Sequence, residues 1–404
     1  MKRRTFLKIC GTVMASWPFS ELIFSKTVRG EQADRKILIV LELMGGNDGL
    51  NTVIPFTDPE YYKLRPVIAV ESDSVLKISD DLGLHPEMEG LFKVWEAGHL
   101  AMVQGVGYPD PDLSHFRSTD IWRGATMAPV IDTGWIGRYI ETVYPDFPDS
   151  MPVDPAGIEM KPQNTVLMRG KSGEAGLALQ DPNSMYEMIQ GVILLPQTPL
   201  SETAASDELS FVRSVESQAR KYSTRLYDVS SLRPNKASYP DTQLARDLSV
   251  IARFIVGGLD TSVYSVSLSG FDTHSNQFQV HPRLLRTVSD AVAAFMDDLQ
   301  ALGVSENVLI MTTSEFGRRV SDNGSGTDHG TASTHFLIGG SIKGGLYGKR
   351  PDLTDLDSSG NLKFTLDFRQ FFAAVLTQWL GVSSENASKI LQGEFDIEPL
   401  MEIF

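Results

Sequence analysis

The sequence predicts an α/β protein in which helices flank a mixed but mostly parallel sheet. Three observations lead there. Ile37 to Leu41 and Val308 to Thr313 are apolar, β-branched runs without alternation, the pattern of strands buried on both faces. Runs of this kind recur between stretches of helical periodicity. Each predicted strand also delivers polar residues to its carboxyl end, where open α/β sheets place their ligand sites. With 404 residues, 42% of them hydrophobic, the chain can build one large core or two ordinary ones.

Taken in order, Lys36 to Met44 is the first strand and ends in Gly45-Gly46-Asn47-Asp48-Gly49. Asn-Asp-Gly is a natural tight turn, and Asp48 also stands where a metal ligand would. Glu42 inside that strand reads as a core carboxylate paired with an arginine. Pro86 to Ala97 is a helix with Leu91, Val94 and Trp95 on one stripe, and Leu100 to Val106 is the next strand. A helix is expected to start near Ser114, which either caps it or serves as a nucleophile at its positive end. Residues 124–205 are Gly/Pro-rich and irregular, with a strand-like piece at Thr165 to Met168, as expected of a small cap.

Helices are expected at 206–228 and 241–259, then a strand from Ser262 to Leu268 that ends in Gly270-Phe271-Asp272-Thr273-His274. Asp and His two apart in extended chain point the same way and can reach one metal ion. A helix over 281–302 leads into the Val308 strand, whose end carries Glu315, followed at short range by Asp328 and His329. Phe336 to Gly348 reads as a Gly-rich strand pair. Thr365 to Leu380 reads as a closing amphipathic helix.

The first residues are a separate object. Lys2-Arg3-Arg4-Thr5-Phe6-Leu7-Lys8 followed by the apolar-leaning stretch Ile9 to Ser20 has the charged and hydrophobic regions of an export signal, and the paired arginines resemble a twin-arginine signal. Residues 1–30 are therefore expected to be the signal, and 31–404 an α/β domain with an irregular cap at about 124–240. A periplasmic or extracellular location follows. The single cysteine, Cys10, lies inside the signal, which excludes thiolate chemistry and disulfides from the remainder. A formal charge of −15 argues against nucleic acid as a partner. No other apolar run approaches the ~18 residues of a membrane span.

Four predicted strands thus bring Asp48, Ser114, Asp272 with His274, and Glu315 with Asp328 and His329 to one end of the sheet. Carboxylates and imidazoles without thiols suit Zn²⁺, Mn²⁺, Mg²⁺ or Ca²⁺, one or two ions, and a hydroxyl among them suits a two-step displacement on an ester. His115 is a second candidate, as ligand or as proton donor to the leaving group. Arg117 and Arg318 are candidate clamps for an anionic substrate, or partners of core carboxylates. His85 reads as a turn residue, and His99, His281 and His335 as surface or core.

These motifs, together with Glu42 to Asn51, Arg65-Pro66, Leu84-His85-Pro86, Ser114-His115-Phe116, Gly134 to Arg138 and Ser314 to Arg318, resemble the bacterial domain of unknown function 1501 family. The resemblance implies an alkaline-phosphatase-like three-layer sandwich with a mostly parallel central sheet and a loop-rich cap, and an exported metal-dependent hydrolase of phosphate or sulfate esters. It implies Asp48, Asp272, His274, Glu315 and His329 as ligands and Ser114 as nucleophile, acting on a small-molecule or polymer ester. The departures are an Asp272-to-His274 spacing narrower than usual and Glu315-Phe316 where an Asp-His pair is usual. The formylglycine setting of sulfatases is absent around Ser114. The competing expectation is a non-catalytic envelope protein of the same fold that binds a polysaccharide or a protein partner.

Overall fold

The computed structural model describes residues 35–148, 150–190 and 219–404. The expected signal, residues 1–30, and the stretch 191–218 of the expected cap and helix lie outside them. Lys36–Phe404 forms one unit around a nine-stranded sheet. Its strands are β1 (Ile37–Met44), β2 (Leu100–Gly107), β3 (Gly157–Glu159), β4 (Leu177–Ala178), β5 (Val263–Ser269), β6 (Val308–Thr313), β7 (Ser333–Gly339), β8 (Gly345–Tyr347) and β9 (Leu366–Asp367). Their spatial order is β8-β2-β7-β6-β1-β5-β3-β4, with β9 also on β2. Only β7 runs against its neighbours β6 and β2; the other pairings are parallel.

β1 lies at the centre because its residues are apolar on both sides. Ile37, Ile39, Leu41 and Leu43 enter one core and Leu38 and Val40 the other. Helices α1 (Glu89–Glu96), α4 (Gln243–Val256) and α5 (Gln277–Leu302) close the first core. Helices α2 (His115–Gly124), α3 (Trp135–Val143), α6 (Phe368–Ala374) and α7 (Ser384–Leu391) close the second. The protein is therefore a three-layer α/β/α sandwich with a mostly parallel sheet, as the sequence predicts. Among the described residues no helix is long and apolar enough to cross a membrane.

Several expectations need correction. The segment 336–348 is not a strand pair: β7 and β8 flank β2 on opposite sides, because β2 is apolar on both faces and has two free edges. Thr165 to Met168 is a 3₁₀ turn at Val166–Met168, capped by the Thr165 hydroxyl. The predicted closing helix begins only at Phe368, after β9, with Asp367 and Gln370 forming a capping box. Helix α5 begins at Gln277, so Pro282 lies inside it rather than at its start. The expected cap is partly built into the main sheet, since β3 and β4 extend its edge beside β5.

Glu42 is buried and paired as anticipated, with Arg123 Nε at 2.7 Å and with Lys161 Nζ. Burial pushes its carboxyl up, but the Lys161 and Arg123 charges outweigh burial and hold it at about 2. The fold keeps Glu42 charged where the unfolded chain, with a value of 4.5, has taken up a proton. Its contribution is complete above about pH 4.5 and is lost as pH falls toward 2. Glu42→Gln takes the carboxylate from two part-buried cations, of which Lys161 keeps Glu159 at 3.7 Å, and is expected to lower stability at pH 7 by about 3 kcal/mol. The urea midpoint followed between pH 7 and 3 should fall less steeply with acid in the variant.

Candidate metal centre

The loop after β5 carries Asp272 and His274, the loop between β6 and β7 carries Asp328 and His329, and the first residue of α2 is His115. Their side chains meet. Asp272 Oδ1 lies 3.4 Å from His115 Nε2, 3.1 Å from His274 Nε2 and 3.2 Å from His329 Nε2. The ligating atoms of His115, Asp272 and His329 all fall within 4.8 Å of one another.

The far side of each ring is fixed by an acceptor. His115 Nδ1 lies 2.9 Å from Glu315 Oε1, His274 Nδ1 3.0 Å from Asp328 Oδ1, and His329 Nδ1 2.7 Å from the Leu113 carbonyl. Carboxylates and carbonyls only accept, so in the neutral rings each Nδ1 carries the proton and each Nε2 turns a lone pair toward Asp272. This is the supporting arrangement that metal-ligating imidazoles use. Two contacts within the cluster call for a cation. His274 and His329 face each other Nε2 to Nε2 at 2.9 Å, which two lone pairs tolerate only with a proton or metal ion between them. His115 Nε2 is buried and without a hydrogen-bond partner. The residues therefore fit a metal ion, and the half-exposed Asp272 and His274 leave one side open to solvent.

The predicted residues divide accordingly. Asp272, His274, His329 and His115 converge, whereas Glu315 and Asp328 stand behind His115 and His274 as hydrogen-bond acceptors. Glu315 Oε1 also accepts from Gly45 N at 2.8 Å. Asp48 is not in the cluster. It is fully buried, accepts from Arg65 Nη1 at 2.6 Å and from Gln277 Nε2, and caps the turn Gly49–Asn51. Burial pushes its carboxyl up and Arg65 pulls it below the ordinary value.

Arg318, expected to meet an anion, is buried and spends its donors inside the protein. Nε donates to the Gly46 carbonyl at 2.8 Å and Nη1 to Thr327 at 2.9 Å. Nη2 donates to Gly45, to Phe271 at 3.0 Å and to Asp272 Oδ1 at 2.7 Å. Burial raises the Asp272 carboxyl, but the Arg318 hydrogen bond more than offsets it, and the group lies at about 2. Arg117 is likewise engaged, donating to the Met127 and Ala128 carbonyls at 3.0 and 2.6 Å. Ser114 is exposed at the N-cap of α2, where its hydroxyl makes no capping bond and its N–H donates to Asp112.

His85 caps the turn Pro86–Met88 and is buried, as are His281 beside Asn47 and His335 beside the Thr312 carbonyl. Burial holds them neutral, at about 4, 3 and 4. Of Arg65 and Gln277, which hold Asp48 in place, Arg65 stands out in the sequence only as part of the Arg65-Pro66 motif, with no role attached, and Gln277 not at all. The one available hint was that a buried aspartate requires a donor.

Replacing Arg318 by Met strands Asp272 and four carbonyls. The expected cost is about 3–5 kcal/mol in a urea titration, from loss of a buried, hydrogen-bonded charge. An unchanged midpoint would return Arg318 to the role of a free anion clamp.

Residues 249–392 match the profile of a family described as "Protein of unknown function (DUF1501)". No curated protein matches the chain. Among solved structures, a sulfatase from Pseudoalteromonas sp. is similar over 92% of this chain and 72% of its own, at 12% identity and a TM-score of 0.40. A protein in the alkaline phosphatase superfamily from Vibrio parahaemolyticus is similar over 86% and 67%, at 9% identity and a TM-score of 0.40. The C-terminal periplasmic domain of EcEptC from Escherichia coli is similar over 90% and 88%, at 9% identity and a TM-score of 0.40. That matched stretch supplies Asp272, His274, Glu315, Arg318, Asp328 and His329.

Proposed function

We propose that the protein is a metal-dependent hydrolase of phosphate or sulfate esters, acting at the cluster of His115, Asp272, His274 and His329. The observation that carries this reading is the convergence of three Nε2 atoms on Asp272 Oδ1, each ring held from behind by an acceptor. A divalent ion bound there would polarise an ester oxygen and lower the pKa of a nearby hydroxyl or water. Glu315, Asp328 and the Leu113 carbonyl orient the three imidazoles, and Arg318 fixes Asp272 from the protein side. Ser114 lies in the chain between Leu113, which holds His329, and the ligand His115. Its exposed hydroxyl, at the amino end of α2 where N–H groups favour developing negative charge, is the candidate nucleophile.

A second reading has its own support. The two arginines expected to receive an anionic group are engaged within the protein, which suits a non-catalytic envelope protein that binds a polysaccharide or a protein partner. A panel of phosphate and sulfate monoesters and diesters separates the two. Turnover lost at least about 100-fold in both Ser114→Ala and His329→Ala is expected. Turnover equal in wild type and variants, or none at all, favours the binding protein.

Residues 1–30 are read as a twin-arginine export signal, which places the protein in the periplasm or outside the cell. Arg3→Lys/Arg4→Lys is expected to leave unprocessed chain in the cytoplasm on fractionation. Export unchanged by the double variant would remove this assignment.

A further inference from the structure

The carboxylates at this end of the sheet are not equally free to meet a cation. Asp48 is buried against the fully buried Arg65 guanidinium, which also donates to Asn51 Oδ1 at 2.6 Å and to the Val320 and Arg319 carbonyls at 2.8 Å. Asp272 shares its Oδ1 with the fully buried Arg318. Of the four carboxylates Asp48, Asp272, Glu315 and Asp328, two are thus each matched by a guanidinium. The other two carboxylates have no guanidinium hydrogen bond: Glu315 stands behind His115 and Asp328 behind His274. One divalent ion balances them, whereas a second would leave excess positive charge beside two immovable arginines.

The donor set also selects the kind of ion. Three imidazole nitrogens and one carboxylate oxygen suit first-row transition ions, while Mg²⁺ and Ca²⁺ take oxygen ligands. The spacings of 3.1, 3.2 and 3.4 Å from Asp272 Oδ1 to the three nitrogens are close to the edge of a tetrahedron. That edge is about 3.3 Å for bonds of about 2.05 Å.

We propose that the centre holds a single transition ion of the Zn²⁺ type on Nε2 of His115, His274 and His329 and Oδ1 of Asp272, and that Arg65 permanently neutralises Asp48 in place of a second cation. The proposal deepens the hydrolase reading and rests on it for the use to which the ion is put. Asp48 and Glu315, both anticipated as ligands, then become a sealed ion pair and the acceptor that aims His115.

The test is elemental mass spectrometry of the exported chain, stripped with chelator, exposed to equimolar Zn²⁺, Mn²⁺, Mg²⁺ and Ca²⁺, and desalted. One Zn²⁺ per chain is expected. Two ions per chain, no ion, or retention of Mg²⁺ or Ca²⁺ instead overturns the proposal. His274→Ala/His329→Ala should lose the ion with its far-ultraviolet circular dichroism unchanged, and a full equivalent retained there overturns the assignment. Glu315→Gln should weaken Zn²⁺ binding about 10- to 100-fold. Asp48→Asn should keep one ion per folded chain; a loss of metal in the folded fraction would return Asp48 to the ligand set. Wild-type stoichiometry decides the matter even if a variant fails to fold. Ester turnover is read separately: one bound Zn²⁺ without turnover defeats the hydrolase reading and leaves the centre supported.

Discussion

The Arg318 guanidinium is the constraint on which this end of the molecule depends. A buried cation with five donors must find acceptors, and here it finds them in four carbonyls and Asp272. Those acceptors come from the loop after β1, the loop after β5 and the loop before β7. One side chain therefore ties three segments distant in sequence into a single surface. Gly45 and Gly46 make the approach feasible, with φ of 120° and 78°. A Cβ on Gly45 would lie 2.4 Å from Asp272 N, and one on Gly46 2.4 Å from the Phe316 ring. The glycine pair and the arginine are two halves of one device.

Much of the fold was legible because a parallel sheet buried on both faces writes itself as uninterrupted apolar runs. β1, β2, β5 and β6 were all visible in this way, and so were the polar residues at their ends. Topology was not. A strand's hydrophobic content says that it is covered but not by which neighbour, so Phe336 to Gly348 reads as a strand pair when β2 in fact separates its two strands. Pairings set by long-range burial, such as Arg65 with Asp48 or Gln277 with Thr327, likewise leave no periodic trace.

The candidate site was legible by residue type more than by role. Every side chain in the cluster had been singled out, yet the division into converging groups and supporting groups required the ring orientations. His115 and Glu315 show why. Both lie at chain positions suited to a ligand, and what separates them is that Glu315 points at the back of His115 while receiving the Gly45 N–H. Arginine was the hardest residue to read, since an exposed clamp and a buried brace look alike in sequence. Only burial distinguishes them, and it makes both Arg318 and Arg65 braces.

The reversed direction of β7 has a further meaning. Because β7 lies antiparallel beside β6, with Leu309 opposite Gly339 and Met311 opposite Leu337, the chain between them leaves and re-enters the sheet at the same end. A parallel crossover would have carried it to the far end and back. Glu315, Arg318, Asp328 and His329 thus belong to one short excursion moored on two adjacent strands. Its base is closed by hydrogen bonds from Gly317 N to the Thr331 carbonyl and from Gly330 N to the Gly317 carbonyl, each at 2.8 Å. The same excursion carries Arg318, whose hydrogen bonds to Gly45, Gly46, Phe271 and Asp272 draw the loops after β1 and β5 onto that mooring, so Asp272 and His329 are held from one footing.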